Sequence, residues 1–209
     1  MSRVDSMISV VLRQVQDEGA RNVSPQEILE VLNRTERDVC RRGLALRADA
    51  TLTTGPGKDT YPVASNLYRL ANIQEPTAWT SRVECLHDLN RFIEVSRETN
   101  ESTQPLYAII WNKVLRLFPA PSDAQKLILY AFALPDEDMV AGGDPQVDYA
   151  WDEILEIGAI HRLLLGRPNY NGNLGLTYVS MINAQRNEEW KEGFHGVKRV
   201  AHSSDDIGF

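Results

Sequence analysis

Neighbouring carboxylates are the residues of this sequence with the clearest capacity for chemistry. A glycoside-cleaving hydrolase needs two carboxyl groups held apart across its substrate, with one of them desolvated so that its pKa rises. Glu153 and Glu156, in a long apolar segment, are the candidate pair for a cell-wall hydrolase. The other acids are adjacent in sequence, and we expect them to be solvated. They are Asp136-Glu137-Asp138, Asp152-Glu153, Glu188-Glu189 and Asp205-Asp206.

A second candidate is the loop "GPGK" at residues 55–58, which has the composition of a phosphate-binding loop. The GxxxxGK[ST] loop needs a longer spacing, and a Ser or Thr after its lysine to hold magnesium. Here Asp59 follows Lys58. Because proline and glycine are typical of turns, we predict a hairpin turn and no nucleotide site.

Metal-ligand or nucleophile spacing is not found among the histidines and cysteines. No histidine lies four residues from another, and neither Cys40 nor Cys85 belongs to a CxxC pair. We interpret the cysteines as reduced thiols and His161 as a satisfied core polar group. We therefore predict no catalytic residue, no cofactor and no metal. The four histidines are His87, His161, His195 and His202.

The charge balance limits the partners of the chain. Its 209 residues are 43% hydrophobic and carry a net charge of −7, whereas domains that grip nucleic acid are usually basic. The exception is a basic stripe at Arg34, Arg37 and Arg41, for which a regulatory module that binds duplex DNA stays an alternative. No aromatic residues are interleaved with the stripe, which favours a solvated helix face. No apolar run reaches the ~18 residues of a membrane-spanning helix, so we expect no membrane partner.

Apolar residues at helical spacing predict four helices. The clearest start is at Ser24, which can cap the helix, with Pro25 at the first helical position and Glu27 completing a capping box. Gly43 is expected just beyond the end of this helix. From Asp148 onward apolar residues point nearly all round, which is typical of a helix buried on all sides. The predicted helices are 5–18, 24–42, 148–165 and 174–191.

Between the second and third of these helices, over about residues 46–134, the pattern changes to that of strands. A hairpin around the "GPGKD" turn comes first, and residues 77–103 fit either a strand or a short helix. Then "YAIIWNKVLRLF" predicts two strands joined at Asn112-Lys113, because Asn tolerates positive φ, and "KLILYAF" predicts a third. We predict an α+β fold, mainly α: a helical bundle with an inserted antiparallel β lobe of one hairpin and a three-stranded meander. The domain is 1–192, followed by a flexible tail, 193–209.

The order of these segments resembles the head–tail connector proteins of tailed bacteriophages, the adaptors that form a ring below the portal. The shared layout begins with the capped helix and the glycine turn followed by Tyr61-Pro62. It continues with the two strands around the Asn turn, a Pro-x-Pro segment, the third strand before a Pro-acid loop, and the helix "DYAWDEILEIGAIHRLLLG" with a second helix behind it. The resemblance covers about residues 5–192, and the polar insertion Thr99–Thr103 departs from it.

The resemblance implies a structural virion protein, not an enzyme, that is assembled in the host cytoplasm and located in the neck of the virion. It implies a homo-oligomeric ring, dodecameric in the family, between the portal protein and a downstream tail, stopper or nozzle protein. DNA passes through such a ring without sequence-specific binding. Ring neighbours would also cover apolar faces that one chain leaves open. The implied subunit interface is Trp151, Ile154, Leu155, Ile160, Leu164, Ile128, Tyr130 and Phe132.

The resemblance also implies that the C-terminal tail docks on the portal, since family members commonly order C-terminal residues on docking. Aromatic and arginine residues are typical anchors of such contacts. A short-tailed-phage gatekeeper of the tail-tubular type, with a related layout, stays an alternative to the adaptor. The implied portal-docking residues are Phe194, Lys198, Arg199, Val200, Ile207 and Phe209.

Overall fold

The structure, a computed structural model, describes residues 2–17, 22–77, 79–97, 102–165, 167, 170–191 and 199–202. The chain divides into two compact units. The helical unit is formed by residues 1–46 and 135–198, and the β unit by residues 47–134 and 199–209. The fold class is α+β with more helix than strand, which confirms the prediction.

Five helices are present in the described residues. They are α1 (Arg3–Asp17), α2 (Pro25–Gly43), α3 (Leu89–Ser96), α4 (Asp152–Leu164) and α5 (Asn173–Lys191). Ser24 caps α2 as predicted, because its hydroxyl accepts a hydrogen bond from the backbone N–H of Glu27 at 3.2 Å. The end of α2 differs from the prediction. Gly43 is the last helical residue, and Leu44 beyond it takes the left-handed conformation with φ of 60°.

The core of the helical unit lies between α1, α2, α4 and α5. One face of α2 is fully buried, at Ile28, Leu32, Thr35 and Val39. A short 3₁₀ helix, Tyr149–Trp151, precedes α4. It places the indole ring of Trp151 in this core, where the residue has no solvent exposure.

The β unit contains two four-stranded sheets among the described residues, in the orders β3-β7-β1-β8 and β2-β6-β5-β4. Their strands are β1 (Arg47–Thr53), β2 (Thr60–Pro62), β3 (Leu67–Gln74), β4 (Glu84–Cys85), β5 (Tyr107–Trp111), β6 (Val114–Phe118), β7 (Lys126–Ala133) and β8 (Arg199–His202). Strand β8 runs parallel to β1, and β4 runs parallel to β5; the other pairings are antiparallel.

The strand pairing corrects two predictions. The β5–β6 hairpin is confirmed, with φ of 51° at Asn112 and 63° at Lys113. The third strand of the predicted meander is wrong, since β7 pairs with β1 and β3 in the other sheet. The predicted first hairpin is also wrong, because β1 and β2 belong to different sheets. The segment "PAPSDAQ" is long enough to carry the chain from one sheet to the other, and a local pattern does not reveal that crossing.

The face of β5 that carries Ile109 is covered within the chain. Helix α3 packs against this face, where Leu86, Phe92, Val95 and Ile109 form a buried cluster. Asp88 caps α3 by accepting a hydrogen bond from the backbone N–H of Asn90 at 2.9 Å. The ambiguous segment 77–103 therefore contains both a short strand, β4, and the helix that closes this core.

Candidate interaction surfaces

The "GPGK" loop is a turn closed by its own hydrogen bonds. The hydroxyl of Tyr61 accepts from the N–H of Gly55 at 3.0 Å and donates to the carbonyl of Lys58 at 2.6 Å. The N–H of Gly57 donates to the carbonyl of Pro121 at 2.8 Å, and that of Lys58 to the carbonyl of Gly55 at 3.1 Å. These backbone donors are occupied, so they do not form a cradle for phosphate.

Glu153 and Glu156 lie three residues apart on α4, so their side chains are neighbours on one helix instead of facing each other across a cleft. Burial raises the pKa of Glu156, and the nearby Asp152 and Glu153 carboxylates raise it further. Burial of Glu156, together with the like charges beside it on one helix, explains this shift without any substrate site. Nothing in this geometry favours the two-carboxylate mechanism of a hydrolase.

The two thiols and the ring of His161 are held as neutral groups. Burial raises the pKa of Cys40 and raises the pKa of Cys85 to about 12, so neither is a thiolate at neutral pH. His161 is half-buried, its Nδ1 lies 2.8 Å from the hydroxyl of Tyr170, and burial lowers the pKa of its ring. No cluster of His, Cys, Asp or Glu in the described ranges could hold a metal ion.

The α4 residues of the implied subunit interface are buried inside the helical unit. Trp151, Ile154, Leu155, Ile160 and Leu164 are each between 0% and 4% exposed. Helices α1, α2 and α5 pack around α4 and cover it. The expectation that a neighbouring subunit covers this helix is thus corrected, because an all-round apolar pattern shows that a helix is buried but not by which chain.

The β7 residues of the implied interface lie on one face of their strand in different environments. Phe132 is buried, with the guanidinium of Arg47 5.4 Å from the centre of its ring. Ile128 and Tyr130 are half-buried, and the Tyr130 hydroxyl donates to the side-chain oxygen of Gln74 at 2.9 Å. Of these three β7 residues, only Ile128 and Tyr130 therefore keep surface that a neighbouring subunit could contact.

Two of the implied portal-docking residues lie in described parts of the chain. Arg199 and Val200 belong to β8 and pair with Arg47 and Ala48 of β1. The tail prediction did not include this strand. The other implied docking residues lie outside the described residues: Phe194, Lys198, Ile207 and Phe209.

Arg37 of the predicted basic stripe on α2 is paired with an acid, and so is Arg42 beside the stripe. Arg37 donates to Asp138 at 2.8 Å, and Arg42 donates to Asp38 at 2.8 Å. Asp38 also accepts from Arg162 of α4 and from the Tyr178 hydroxyl of α5, both at 2.9 Å. Asp38 therefore connects three helices. This role was not predicted from the sequence. The only signal for it there is an acid placed among arginines on a helix with a buried face.

Among the described residues of the helical unit, five large apolar residues are exposed, and the sequence did not single them out as interface residues. Val140 and Tyr149, before α4, are 63% and 69% exposed. Leu165, just after α4, is 61% exposed, and Leu176 and Val179 on α5 are 72% and 40% exposed. We call the first two the tyrosine patch and the last three the leucine patch. Scattered apolar residues are normal at a surface, so these patches gain meaning only from their arrangement.

A comparison with protein families decides the affiliation. The model of the SU10 adaptor protein family matches residues 2–203, nearly the whole chain. The chain belongs to this family. SU10 adaptors are phage head–tail adaptors, which confirms the resemblance found in the sequence. No curated protein matches the chain.

Membership of the SU10 adaptor family gives the surfaces their context. It implies a structural, non-enzymatic protein of the virion neck that binds portal and tail components. None of the described helices combines the length and apolar character needed to cross a bilayer. Surfaces that recognise other proteins, and not a catalytic cleft, are therefore what this adaptor must present.

Two open cavities in the described part of the β unit have charged or polar residues in their lining. One, of about 430 Å³, is lined by the strands β3 and β4 and includes Arg82 and Glu84. The other, of about 260 Å³, includes Arg69, His87 and the exposed ring of Trp111. Burial and the neighbouring Arg69 guanidinium lower the pKa of His87, so its ring is neutral at pH 7. Neither cavity contains Glu153 or Glu156.

Proposed function

We propose that this chain forms a ring, dodecameric in the intact virion, that joins the portal vertex of a phage capsid to the tail and continues the DNA channel. The observation that carries the proposal is the match to the SU10 adaptor family over residues 2–203. The upper partner is the portal protein, and the lower partner is a tail, stopper or nozzle protein. The gatekeeper of short-tailed phages differs from this proposal in its partner more than in its physics.

The charge of the chain supports a role as a conduit. With a net charge of −7, each copy repels the phosphate backbone, so DNA moves past the ring without being retained. The compensated arginines of α2 support the same reading, since Arg37 is engaged by Asp138 and Arg42 by Asp38. A duplex-binding role would need those cations to face phosphate.

The experiment that tests the proposal is light scattering with negative-stain imaging of the chain, alone and mixed with the portal protein of the same phage. We expect rings stacked on the portal. A chain that stays monomeric and ignores the portal would refute the adaptor role. The same sample should then be assayed for cell-wall lysis, with Glu153→Gln as the variant, and for salt-dependent duplex binding, with Arg37→Ala.

We also propose that the segment 193–209 docks on the portal. Removing it is expected to weaken portal binding more than about thirtyfold, the loss of at least one anchor residue, while the helical unit stays folded. A shorter deletion of residues 203–209 serves as the matched variant because it leaves β8 paired with β1. Binding is measured by surface plasmon resonance on immobilised portal, and folding by circular dichroism. Unchanged binding of the longer deletion would reject this assignment.

A further inference from the structure

The leucine patch lies where the end of α4 meets the start of α5. Leu165 follows His161 by one helical turn, and its N–H donates to the His161 carbonyl at 3.0 Å. A Cβ placed at Gly175 would lie 3.0 Å from Cε1 of the same histidine, so α5 begins against this end of α4. Leu176 and Val179 are three residues apart and share one face of α5. Leu165 therefore lies where these two helices meet, and Leu176 and Val179 lie in the first two turns of α5.

The segment that carries Leu176 and Val179 is free of charge. Residues 168–185 contain no Asp, Glu, Lys or Arg, although 24% of the whole sequence is charged. The exposed face of α5 includes Leu176, Val179, Ser180, Asn183 and Ala184. Such a face can be removed from water without stripping an ion of its hydration, which makes it suitable for contact with another protein.

The tyrosine patch is held in place by the first turn of α1. The Arg3 guanidinium stacks 3.9 Å from the centre of the Tyr149 ring and donates to the carbonyl of Val147 at 3.2 Å. Asp5 accepts a hydrogen bond from the N–H of Gly142 at 3.0 Å, beside Val140. Tyr149 is thus a fixed and exposed aromatic side chain, which is the kind of residue that anchors interfaces.

The two patches lie at opposite ends of α4. Tyr149 lies three residues before this helix and Leu165 immediately follows it, and thirteen helical residues rise about 20 Å. A two-fold contact pairs a patch with its own copy, or pairs the two patches reciprocally and stops at a dimer, whereas a ring uses the two patches of each copy on two different neighbours, head to tail. The helical unit therefore offers the pair of separate surfaces that a ring requires.

The charges beside the patches disfavour the pairing of either patch with itself. Asp144, Asp148 and Glu153 lie near the tyrosine patch, where Arg3 is already paired with Asp152. Arg167 lies near the leucine patch, as does Arg162, which is paired with Asp38. Asp144 and Glu153 are exposed, and so is Arg167. Pairing either patch with itself would place like charges together, while pairing one with the other places acids beside arginines.

We propose that the leucine patch of one copy packs against the tyrosine patch of the next copy in the ring. The occupant of each patch is thus a second copy of this chain, and the inference rests on the proposed ring. The five apolar side chains form the core of the contact, and the acids and arginines form its rim. A specific interface of about 800 Å² per partner is completed by the polar residues around them.

Cross-linking with a short bismaleimide tests the arrangement on rings assembled with the portal. Cys85→Ser serves as background, because Cys40 is buried and Cys85 is half-buried. Leu176→Cys alone and Tyr149→Cys alone should each stay monomeric on a denaturing gel. An equal mixture of the two should give a single dimer band, and the double variant should give a ladder of multimers. Gln14→Cys, exposed on α1, replaces Tyr149→Cys in the control and should give no dimer with Leu176→Cys.

The outcomes separate this inference from the proposed function. Dimers from either single variant would overturn the head-to-tail pairing in favour of a two-fold contact. Rings that are visible on the portal but yield no cross-link in the mixture would overturn the inference and leave the adaptor role intact. Portal-bound single copies without rings would overturn both the ring and the pairing. Loss of portal binding in Leu176→Cys with normal rings would assign the leucine patch to the portal instead.

A charge exchange tests the rim independently. Arg167→Glu is expected to raise the concentration needed for half-maximal ring assembly about tenfold, because attraction becomes repulsion. Adding Glu153→Lys to the same chain should restore assembly, although each change alone weakens it. The effect should diminish at high salt. Additive losses in the double variant would contradict the pairing of these two rims.

Discussion

Replacing Gly43 by alanine is expected to lower the free energy of unfolding of the helical unit by about 3 kcal/mol. A Cβ at this position would lie 2.3 Å from Cη2 and 2.7 Å from Cζ3 of Trp151, far inside normal contact. The indole ring cannot turn aside easily, since it is fully buried and its Nε1–H donates to the Glu189 carboxylate at 2.6 Å. Displacing the ring therefore breaks core packing and a hydrogen bond to α5 together. Urea denaturation followed by far-ultraviolet circular dichroism measures the loss.

Gly172→Ala is the matched control for this prediction, because a Cβ there meets nothing within 4 Å. We expect it to change stability by less than about 0.5 kcal/mol. Combining Gly43→Ala with Trp151→Phe should cost less than the sum of the two single changes, since the smaller ring leaves space for the methyl group. Equal stability of Gly43→Ala and Gly172→Ala would show that the contact with Trp151 does not limit residue 43.

Four of the five described helices were predictable because their signals are local, whereas the pattern of residues 77–103 left α3 undecided. Ser24, Pro25 and Glu27 mark the start of α2 within four residues, and the structure places the helix at Pro25–Gly43. The positive φ of Asn112 follows equally from its residue type, whereas Lys113 takes a positive φ because the two-residue turn requires it. Each of these features depends on residues that are neighbours in the sequence, so the sequence alone is enough to predict it.

Long-range partners were not predictable in the same way. The local pattern of β7 predicts a third strand of the meander, yet the strands that pair with β7 are β1 and β3. The sequence predicts Gly43 just beyond the end of a helix, but it does not reveal that Trp151 lies next to Gly43 in the fold. An apolar pattern states that a side chain is buried, but the identity of what buries it depends on tertiary packing.

The candidate surfaces were the least predictable part. The sequence assigned the subunit interface to α4 because that helix is apolar, and the structure buries those residues inside the chain. Leu176 and Val179 carry no periodic signal of their own, because α5 is weakly amphipathic. Only the fold shows that they stay exposed beside Leu165. The leucine and tyrosine patches thus depend on geometry that no local pattern encodes.

Asp38→Ala is expected to lower the free energy of unfolding of the helical unit by about 2–4 kcal/mol. The carboxylate accepts hydrogen bonds from Arg162 of α4 and Tyr178 of α5, so its loss leaves a buried hydroxyl and a cation without their acceptor. The third partner, Arg42, is mostly exposed and contributes little to the loss. Urea denaturation measures the effect, with Asp136→Ala as the control at an exposed acid.

The pH dependence of the same site provides a second measurement. Burial raises the pKa of Tyr178 above its ordinary 10.0, and the charge and hydrogen bond of Asp38 raise it further. The folded state then holds the phenol proton more tightly than the unfolded chain, so this contribution is complete below pH 10 and is lost as the pH rises above it. Asp38→Asn removes the charge but leaves Tyr178 buried, so the pKa of Tyr178 is raised less in the variant. The variant's loss of stability with rising pH is therefore complete at a lower pH. The stability advantage of the wild type over Asp38→Asn should therefore shrink as the pH rises above about 10. An advantage that is constant over this range would show that Asp38 does not act on the Tyr178 hydroxyl.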